Sequence, residues 1–282
     1  MSALSSSHAG PRITVIIAVY NGAATLARCL DSIASQTYPH TELVVMDGGS
    51  ADGSVDILQA HSAQIAYWET QPDRGIYHAW NKALARAGGD WIGFLGADDY
   101  FWTPDVLARL APHLPTEGPA ARIVYGQVAI VSDAGEVVRY EGRPWDDARG
   151  AFTSTMSIPH PGLLHHRSVF RERGGFDENF RIAADYDLLL RELPARPALF
   201  VPDIVTVGVQ RGGVSYAPAA MPQMLAELAR VREKHGLPAP NLLNMTPTER
   251  NMRAAALLGR ALGPQASQSA MNALRRLAGR PR

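Results

Sequence analysis

Between residues 12 and 100, short β-branched runs alternate with amphipathic stretches, and that alternation fixes most of what the chain can become. Strand periods interleaved with helix periods build βαβ units on a mostly parallel sheet. Ile13 to Tyr20 reads as a buried strand, and Thr25 to Gln36 as a helix with Leu26, Leu30 and Ile33 on one face. Glu42 to Asp47 is the next strand, Gly48 to Gly53 a polar turn, and Ser54 to His61 a helix that Ser54 or Asp52 can cap. A strand near Ile65 to Glu69, a helix Ile76 to Ala87 and a strand Trp91 to Leu95 follow, the last opening into Asp98-Asp99. Open α/β sheets gather their ligands at the carboxyl ends of strands, where Asn21, Asp47 and Asp98 all fall.

The middle of the chain is less regular. A helix Thr103 to Leu114 precedes two strands, Ile123 to Ser132 and Glu136 to Tyr140, joined by a turn at Asp133-Ala134-Gly135, a hairpin that suits a mixed sheet. A loop from Arg143 to Pro161, a short strand Gly162 to His166, helices Ser168 to Arg173 and Ala184 to Glu192, and a strand Ile204 to Val209 complete the pattern before the turn Arg211-Gly212-Gly213. From Met221 onward the sequence reads as helical, with Leu225, Leu228 and Val231 on one face and Thr246 as an N-cap before Pro247.

Composition excludes several classes. Of 282 residues 46% are hydrophobic and 19% charged, and no apolar run reaches the roughly 18 residues of a bilayer span. The start, Met1 to Arg12, lacks the charged and apolar regions of a secretory signal, and Cys29 is the only cysteine, so the expected compartment is the cytoplasm. A lone cysteine inside a helix also excludes an internal disulfide and a cysteine zinc cluster and reads as core packing. Zero formal net charge removes the global electrostatic case for nucleic acid. The distribution is uneven, however: Arg250, Arg253, Arg260, Arg275, Arg276, Arg280 and Arg282 occur with no acid among them. With Leu257, Leu258 and Leu262 as an apolar stripe, this tail either lies on an anionic membrane surface or packs on the rest of the chain.

Three stretches carry candidate chemistry. Asp98 and Asp99 are adjacent carboxylates just past a buried strand, which repel each other unless hydrogen-bond donors or a hard cation such as Mg²⁺ or Mn²⁺ compensate; the plain alternative is a helix cap. The run Asp47-Gly48-Gly49-Ser50-Ala51-Asp52-Gly53 lets backbone approach a ligand, with Asp47 able to accept hydrogen bonds from a nucleoside, or it is simply a Gly-rich turn. Arg74 stands just before a helix, where it can pair with a diphosphate or project into solvent, with Lys82 further along. Neither a dinucleotide fingerprint nor a Gly-x-x-x-x-Gly-Lys loop occurs, which counts against NAD and ordinary NTPase chemistry. His160, His165 and His166 cluster in sequence; in a strand His160 and His166 would share a face, and His160 is placed at acceptor or diphosphate contacts rather than in a zinc site. Arg211 with its two glycines reads as a loop able to close over a diphosphate or as a plain turn.

Taken in order, Ile16-Ile17-Ala18-Val19-Tyr20-Asn21, Ser35-Gln36-Thr37-Tyr38-Pro39, the Asp47 to Gly53 loop, Pro72-Asp73-Arg74-Gly75-Ile76-Tyr77 and Phe94-Leu95-Gly96-Ala97-Asp98-Asp99 resemble glycosyltransferase family 2. The resemblance continues through His160-Pro161-Gly162, Gly174-Gly175-Phe176-Asp177-Glu178, Ala183 to Arg191 and Gly212-Gly213-Val214-Ser215. It implies a GT-A fold, a Rossmann-like, mostly parallel α/β sheet with flanking helices and a helical C-terminal extension. Residues 12–100 become the half that binds a UDP-, GDP- or dTDP-sugar, 101–216 the acceptor and catalytic half, 217–282 the extension, and 1–11 a loose leader. It further implies that Asp47 meets the base, Asp98 the ribose or metal, Asp99 a Mn²⁺ or Mg²⁺, Arg74 the nucleotide, and Asp185 the acceptor proton, with Ala18, Tyr20, Asn21, His160 and Arg211 on the donor side. The implied activity is inverting transfer of a sugar to a saccharide or lipid-linked acceptor, as in bacterial surface polysaccharide or lipopolysaccharide assembly. A sugar nucleotidyltransferase would need a basic triphosphate loop where Tyr20-Asn21-Gly22-Ala23-Ala24 stands. A catalytically inactive sugar-nucleotide binder is the remaining alternative. Departures from the family are Gly96 and Ala184, where acids are common, and His78 in place of Asp.

Overall fold

The seven residues Ile13–Val19 (β1) send alternate side chains into two separate cores. Ile13, Val15, Ile17 and Val19 enter one and Ile16 the other, because successive Cβ atoms of a strand leave opposite faces. A strand buried on both sides belongs in the middle of a three-layer α/β/α structure. The computed structural model describes residues 10–118, 120–132, 134–210 and 220–239, with Arg250 and Ala254.

After β1 come α1 (Ala23–Ala34), β2 (Thr41–Asp47), α2 (Ser54–Ala60), β3 (Tyr67–Thr70), α3 (Ile76–Leu84), β4 (Trp91–Gly96), β5 (Tyr100–Phe101) and α4 (Val106–Leu110). The chain continues through β6 (Ile123–Val131), β7 (Val137–Glu141), α5 (Trp145–Phe152), β8 (Leu164–His166), α6 (Ser168–Arg173), α7 (Ala184–Glu192), β9 (Leu199–Gln210) and α8 (Met221–Lys234). The strands form one mixed sheet in the order β3-β2-β1-β4-β8-β6-β9-β5, with β7 paired to β6. β3, β2, β1 and β4 are parallel, so their carboxyl ends, and the loops that follow, open on one edge. β8 runs antiparallel between β4 and β6 and joins this half to the parallel β6·β9 pair. On one face α1 buries Leu26, Cys29, Leu30 and Ile33; on the other lie α3 and α7, through Trp80, Ala83, Leu188 and Leu189.

Several boundaries differ from those the sequence suggests. The helix expected over Thr103 to Leu114 is the shorter α4 followed by a 3₁₀ turn, Ala111–His113, where Pro112 removes a backbone donor. β9 is twice as long as the strand expected there, running through Pro202 and a left-handed Asp203. Inside the expected loop from Arg143 to Pro161 stands α5, whose buried residues are only Ala148 and Phe152, too few to give a helical period. The turn at Arg211, the cap at Thr246 and the arginines from Arg253 onward lie outside the described residues. Among the described residues no helix is long and apolar enough to cross a membrane.

The C-terminal half of α7 is fixed to the sheet by a buried ion cluster. Arg122, at the foot of β6, donates from Nε (2.7 Å) and Nη2 (2.5 Å) to the Glu192 carboxylate, and neither side chain has any exposed surface. Arg173 reaches the same carboxylate at 2.9 Å. Removing one partner of a buried pair strands the other charge, at a cost of about 3 kcal/mol or more. Arg122→Ala is therefore expected to lower the unfolding free energy measured by urea denaturation by that amount, and Arg122→Lys to recover little of it because the two-pronged geometry is lost. Arg173→Ala, at a partly exposed position, is expected to cost less.

Candidate active site

β4 leaves the core at Gly96 and turns at once: the Asp99 N–H donates to the Gly96 carbonyl at 3.0 Å. This tight reversal brings both acidic side chains back over the glycine. A Cβ on Gly96 would stand 2.7 Å from Asp98 Oδ1 and 2.9 Å from Asp99 Oδ2, so a side chain there would push the converged carboxylates aside. Asp99 is only 6% exposed and accepts a hydrogen bond from the Gln210 N–H of β9 at 3.1 Å. Burial first, and the Asp98 charge second, push its carboxyl up to about 8, against the opposing pull of backbone donors and Arg28. Arg28 of α1 steadies the turn: it stacks on the Tyr100 ring and donates to the Asp98 carbonyl at 2.8 Å and the Gln210 side chain at 2.9 Å. Below lies Cys29, fully buried, its thiol pushed well up by burial and by both aspartates, an inert core group as expected.

The neighbouring loops are sewn together at the same edge. Asn21, in a left-handed conformation at φ 51°, accepts from the Ala51 N–H at 3.0 Å, and its own N–H donates to Ser50 Oγ at 2.8 Å. Asp52 accepts from the N–H groups of Ala23 (2.9 Å) and Ser54 (3.1 Å), so it caps the start of both α1 and α2. Asp47 is wholly buried, and its carboxylate takes the N–H groups of Gly49 and Ser50 and the hydroxyls of Ser50 and Thr70. In this arrangement its side chain shapes the Gly48 loop from below.

Asp185 sits in the first turn of α7. Its Oδ1 accepts from the Tyr186 N–H at 2.8 Å and lies 3.2 Å from the Tyr77 hydroxyl. Burial holds its carboxyl above the usual range, against the opposing pull of the Tyr186 N–H and the Tyr77 hydroxyl. His160 is 6% exposed, stacked against Trp80 and Phe94, and burial keeps it below its usual value, so it is neutral at pH 7. Its ring lies 5.3 Å from that of His165, while His166 turns to Trp91 and Ser168. The expected pairing of His160 with His166 on one face thus fails, because Gly162 (φ 70°) makes a turn between them and β8 is only three residues long.

Ala18, Tyr20, Asn21, Asp98, Asp99, His160 and Asp185 all line one cavity of about 950 Å³. Gly48 lines it in front of Asp47. Arg74 does not: its exposed side chain pairs with Glu178 at 2.6 Å, and the cavity wall there is Asp73, which holds His78 at 3.0 Å and Lys82 at 2.8 Å. Arg211 falls outside the described residues. Sequence reasoning passed over Asp73, although its neighbour was selected, and passed over Tyr77, Arg28 and Arg181, whose roles come from contacts across the fold. Among the described residues no three His, Cys, Asp or Glu side chains gather as a metal site. The acidic pair fits a hard divalent ion only if further oxygens arrive with a ligand, as phosphates do.

The family model for glycosyl transferase family 2 matches residues 14–171, more than half the chain. The chain belongs to glycosyltransferase family 2. This family member is 34% identical over 217 residues to a PGL/p-HBAD biosynthesis glycosyltransferase of Mycobacterium tuberculosis, covering 73% of the present chain and 80% of the relative. It is 30% identical over 189 residues to chondroitin synthase of Escherichia coli, covering 64% of the chain and 26% of the synthase. Among solved structures, mannosyltransferase PcManGT from Pyrobaculum calidifontis, in complex with GDP-Man and Mn²⁺, superposes with a TM-score of 0.61 at 21% identity, over 96% of this chain and 75% of that one. S. aureus TarS 1-349 in complex with UDP gives a TM-score of 0.60 at 17% identity, over 88% and 71%. The glycosyltransferase has the GT-A fold.

A carboxyl held at about 8 in the fold keeps its proton while its unfolded counterpart, near 3.8, has lost it. It therefore costs stability progressively as pH rises from about 4 to about 8. In divalent-free buffer, Asp99→Asn is expected to be more stable than the parent at pH 8, by on the order of a few kcal/mol, with the difference vanishing near pH 4. Calorimetry across that range measures it, and equal pH slopes for the two proteins would contradict the assignment.

Proposed function

We propose that this glycosyltransferase is an inverting, divalent-metal-dependent enzyme that moves a sugar from a UDP-, GDP- or dTDP-sugar to a hydroxyl of a saccharide or lipid-linked acceptor. The observation that carries the reading is that Asp98, Asp99 and Asp185 line a single cavity. Inverting transfer needs a carboxylate to take the acceptor proton and a cation to neutralise the departing diphosphate. Asp99, with Asp98, would hold Mn²⁺ or Mg²⁺, whose chemistry there is to offset charge on the diphosphate. The converged, mutually repelling pair over Gly96 supports that role. Asp185 supports the other: burial makes it a stronger base than an exposed aspartate, and Tyr77 and the Tyr186 N–H fix its Oδ1. As the acceptor oxygen bonds to the anomeric carbon and the bond to the diphosphate breaks, the hydroxyl proton passes to Asp185, and attack from the face opposite the leaving group inverts the centre.

Asn21, Tyr20, Ala18 and the Gly48 loop contribute the nucleotide side of the cavity, with Asp47 organising that loop and meeting the base through it. Arg74 and Arg211 are read as completing the donor side, which for Arg74 requires release of Glu178. A solved neighbour holds GDP-Man with Mn²⁺ and another UDP, and relatives serve PGL/p-HBAD biosynthesis or chondroitin synthesis; these support a nucleotide-sugar donor and a glycan product. Assembly of bacterial surface polysaccharide or lipopolysaccharide at the cytoplasmic face of the membrane, with the arginine-rich tail on the lipid, fits this chemistry.

Thermal melting against UDP-, GDP-, CDP- and dTDP-sugars, with and without Mn²⁺, tests the reading. One nucleotide is expected to raise the melting temperature, and more so with metal; a melting temperature indifferent to every nucleotide would sink it. Asp99→Ala is expected to abolish metal-dependent turnover. Asp185→Asn is expected to lower kcat by about a hundredfold or more while donor binding persists.

A further inference from the structure

Helix α7 carries Asp185 in its first turn yet begins without a cap of its own. Its N-cap residue is Ala183 and its first helical residue Ala184, neither of which offers a side-chain acceptor. The N–H groups at a helix start have no partner within the helix and need one from elsewhere. The segment leading into the helix, up to the N-cap Ala183, finds its partner 44 to 46 residues downstream of its own position. Glu227 of α8, 4% exposed, directs its carboxylate at three successive backbone N–H groups: Arg181 at 2.9 and 3.0 Å, Ile182 at 2.7 Å and Ala183 at 3.1 Å. Gln223, one turn back on α8, donates to the same carboxylate at 3.0 Å.

The same three-residue segment is held from its carbonyl side. Tyr77 Oη lies 2.7 Å from the Ile182 carbonyl and 3.2 Å from Asp185 Oδ1, so its one proton is shared between the segment and the carboxylate. The far end of α8 grips α7 again beyond Asp185: Lys234 and His235 reach Asp187 at 2.9 and 2.8 Å, and Lys234 also reaches Asp177 at 2.8 Å. Asp185 is therefore bracketed by two attachments to one helix. That helix lies beyond residue 171, where the family match ends.

We propose that Glu227 is a positioning residue for sugar transfer: by holding, from α8, the Arg181 to Ala183 segment that leads into α7, its carboxylate sets where Asp185 stands in the cavity. Charged acceptors on backbone N–H groups give short, directional bonds, and several on one carboxylate fix the segment in orientation as well as position. A base displaced by an ångström loses much of its effect on rate while leaving donor binding intact. The proposal rests on Asp185 acting as the base.

The test uses the full chain with Mn²⁺ and the donor selected by melting. Glu227→Gln keeps the side chain's shape and removes the charge; it is expected to lower kcat 10- to 100-fold with the donor KM within about twofold. Leu228→Ala, which removes a buried apolar contact of α8 at the next position, is the control for simple loosening of the helix: it is expected to lower the melting temperature at least as much while keeping kcat within threefold. Full kcat in Glu227→Gln overturns the proposal, as does an equal loss of kcat in Leu228→Ala. If Glu227→Gln does not fold, Glu227→Asp carries the test, with the carboxylate kept but withdrawn by one methylene; kcat is expected to fall 3- to 10-fold, and an unchanged kcat overturns the idea. Asp185→Asn separates the two readings. An active Asp185→Asn refutes the base itself, whereas an inactive one beside a fully active Glu227→Gln refutes only the positioning role.

Discussion

Two like charges converging over one glycine are the constraint around which this molecule is arranged. β4 is buried along its length and must surrender its last residues to a loop at the sheet's ligand-binding edge. The chain spends that opportunity on Asp98 and Asp99, then folds both carboxylates back over Gly96. Among the described residues, what faces Asp99 is an N–H from β9 and a guanidinium occupied with the Asp98 carbonyl. Left alone, the pair keeps a proton near neutrality. An arrangement that costs stability at the mouth of a cavity marks where binding energy is meant to be recovered.

The second half of the molecule exists, in physical terms, to bring a third carboxylate to that cavity from another direction. The parallel strands β1, β2 and β4 deliver Asn21, the Gly48 loop and the acidic pair by their carboxyl ends alone. Asp185 has no such guide. Its helix is fastened at one end by Arg122 and Arg173 to Glu192 and at the other by Glu227, and between them the aromatic cluster of Tyr77, Trp80, Phe94 and Phe176 fills the space under the site. Polar clamps fix orientation here, and apolar packing fixes distance.

What could be read from the sequence follows the same division. The βαβ half was legible because a strand buried on both faces is a continuous apolar run, and because the loops after such strands are where ligands collect. Asn21 and Asp98, with Asp99 beside it, fall out of that rule, and Ala18, Tyr20 and Asp185 came from the family resemblance. Asp47 was correctly placed at a strand end, but its carboxylate is engaged with its own loop, a contact that no spacing announces. Arg74 was favoured over Asp73 because cations suit phosphates, yet the structure turns the arginine to Glu178 and the aspartate to the cavity. α5 escaped notice because two buried residues make no period, and Glu227 looked like any acid on a helix of mixed polarity. Contacts between elements far apart in the chain leave no local pattern.

The distance along the chain between Asp185 and its cap has a consequence for how the enzyme comes into being. Proteins emerge from the ribosome from their first residue onward, and amino-terminal units fold while later ones are still unmade. The acidic pair, the nucleotide loops and Asp185 itself are all synthesised before α8 appears. Until Glu227 has cleared the exit tunnel, the segment leading into α7 has no acceptor for the N–H groups of Arg181, Ile182 and Ala183, and Asp185 has no fixed address. A late helix thus sets the geometry of residues made well before it.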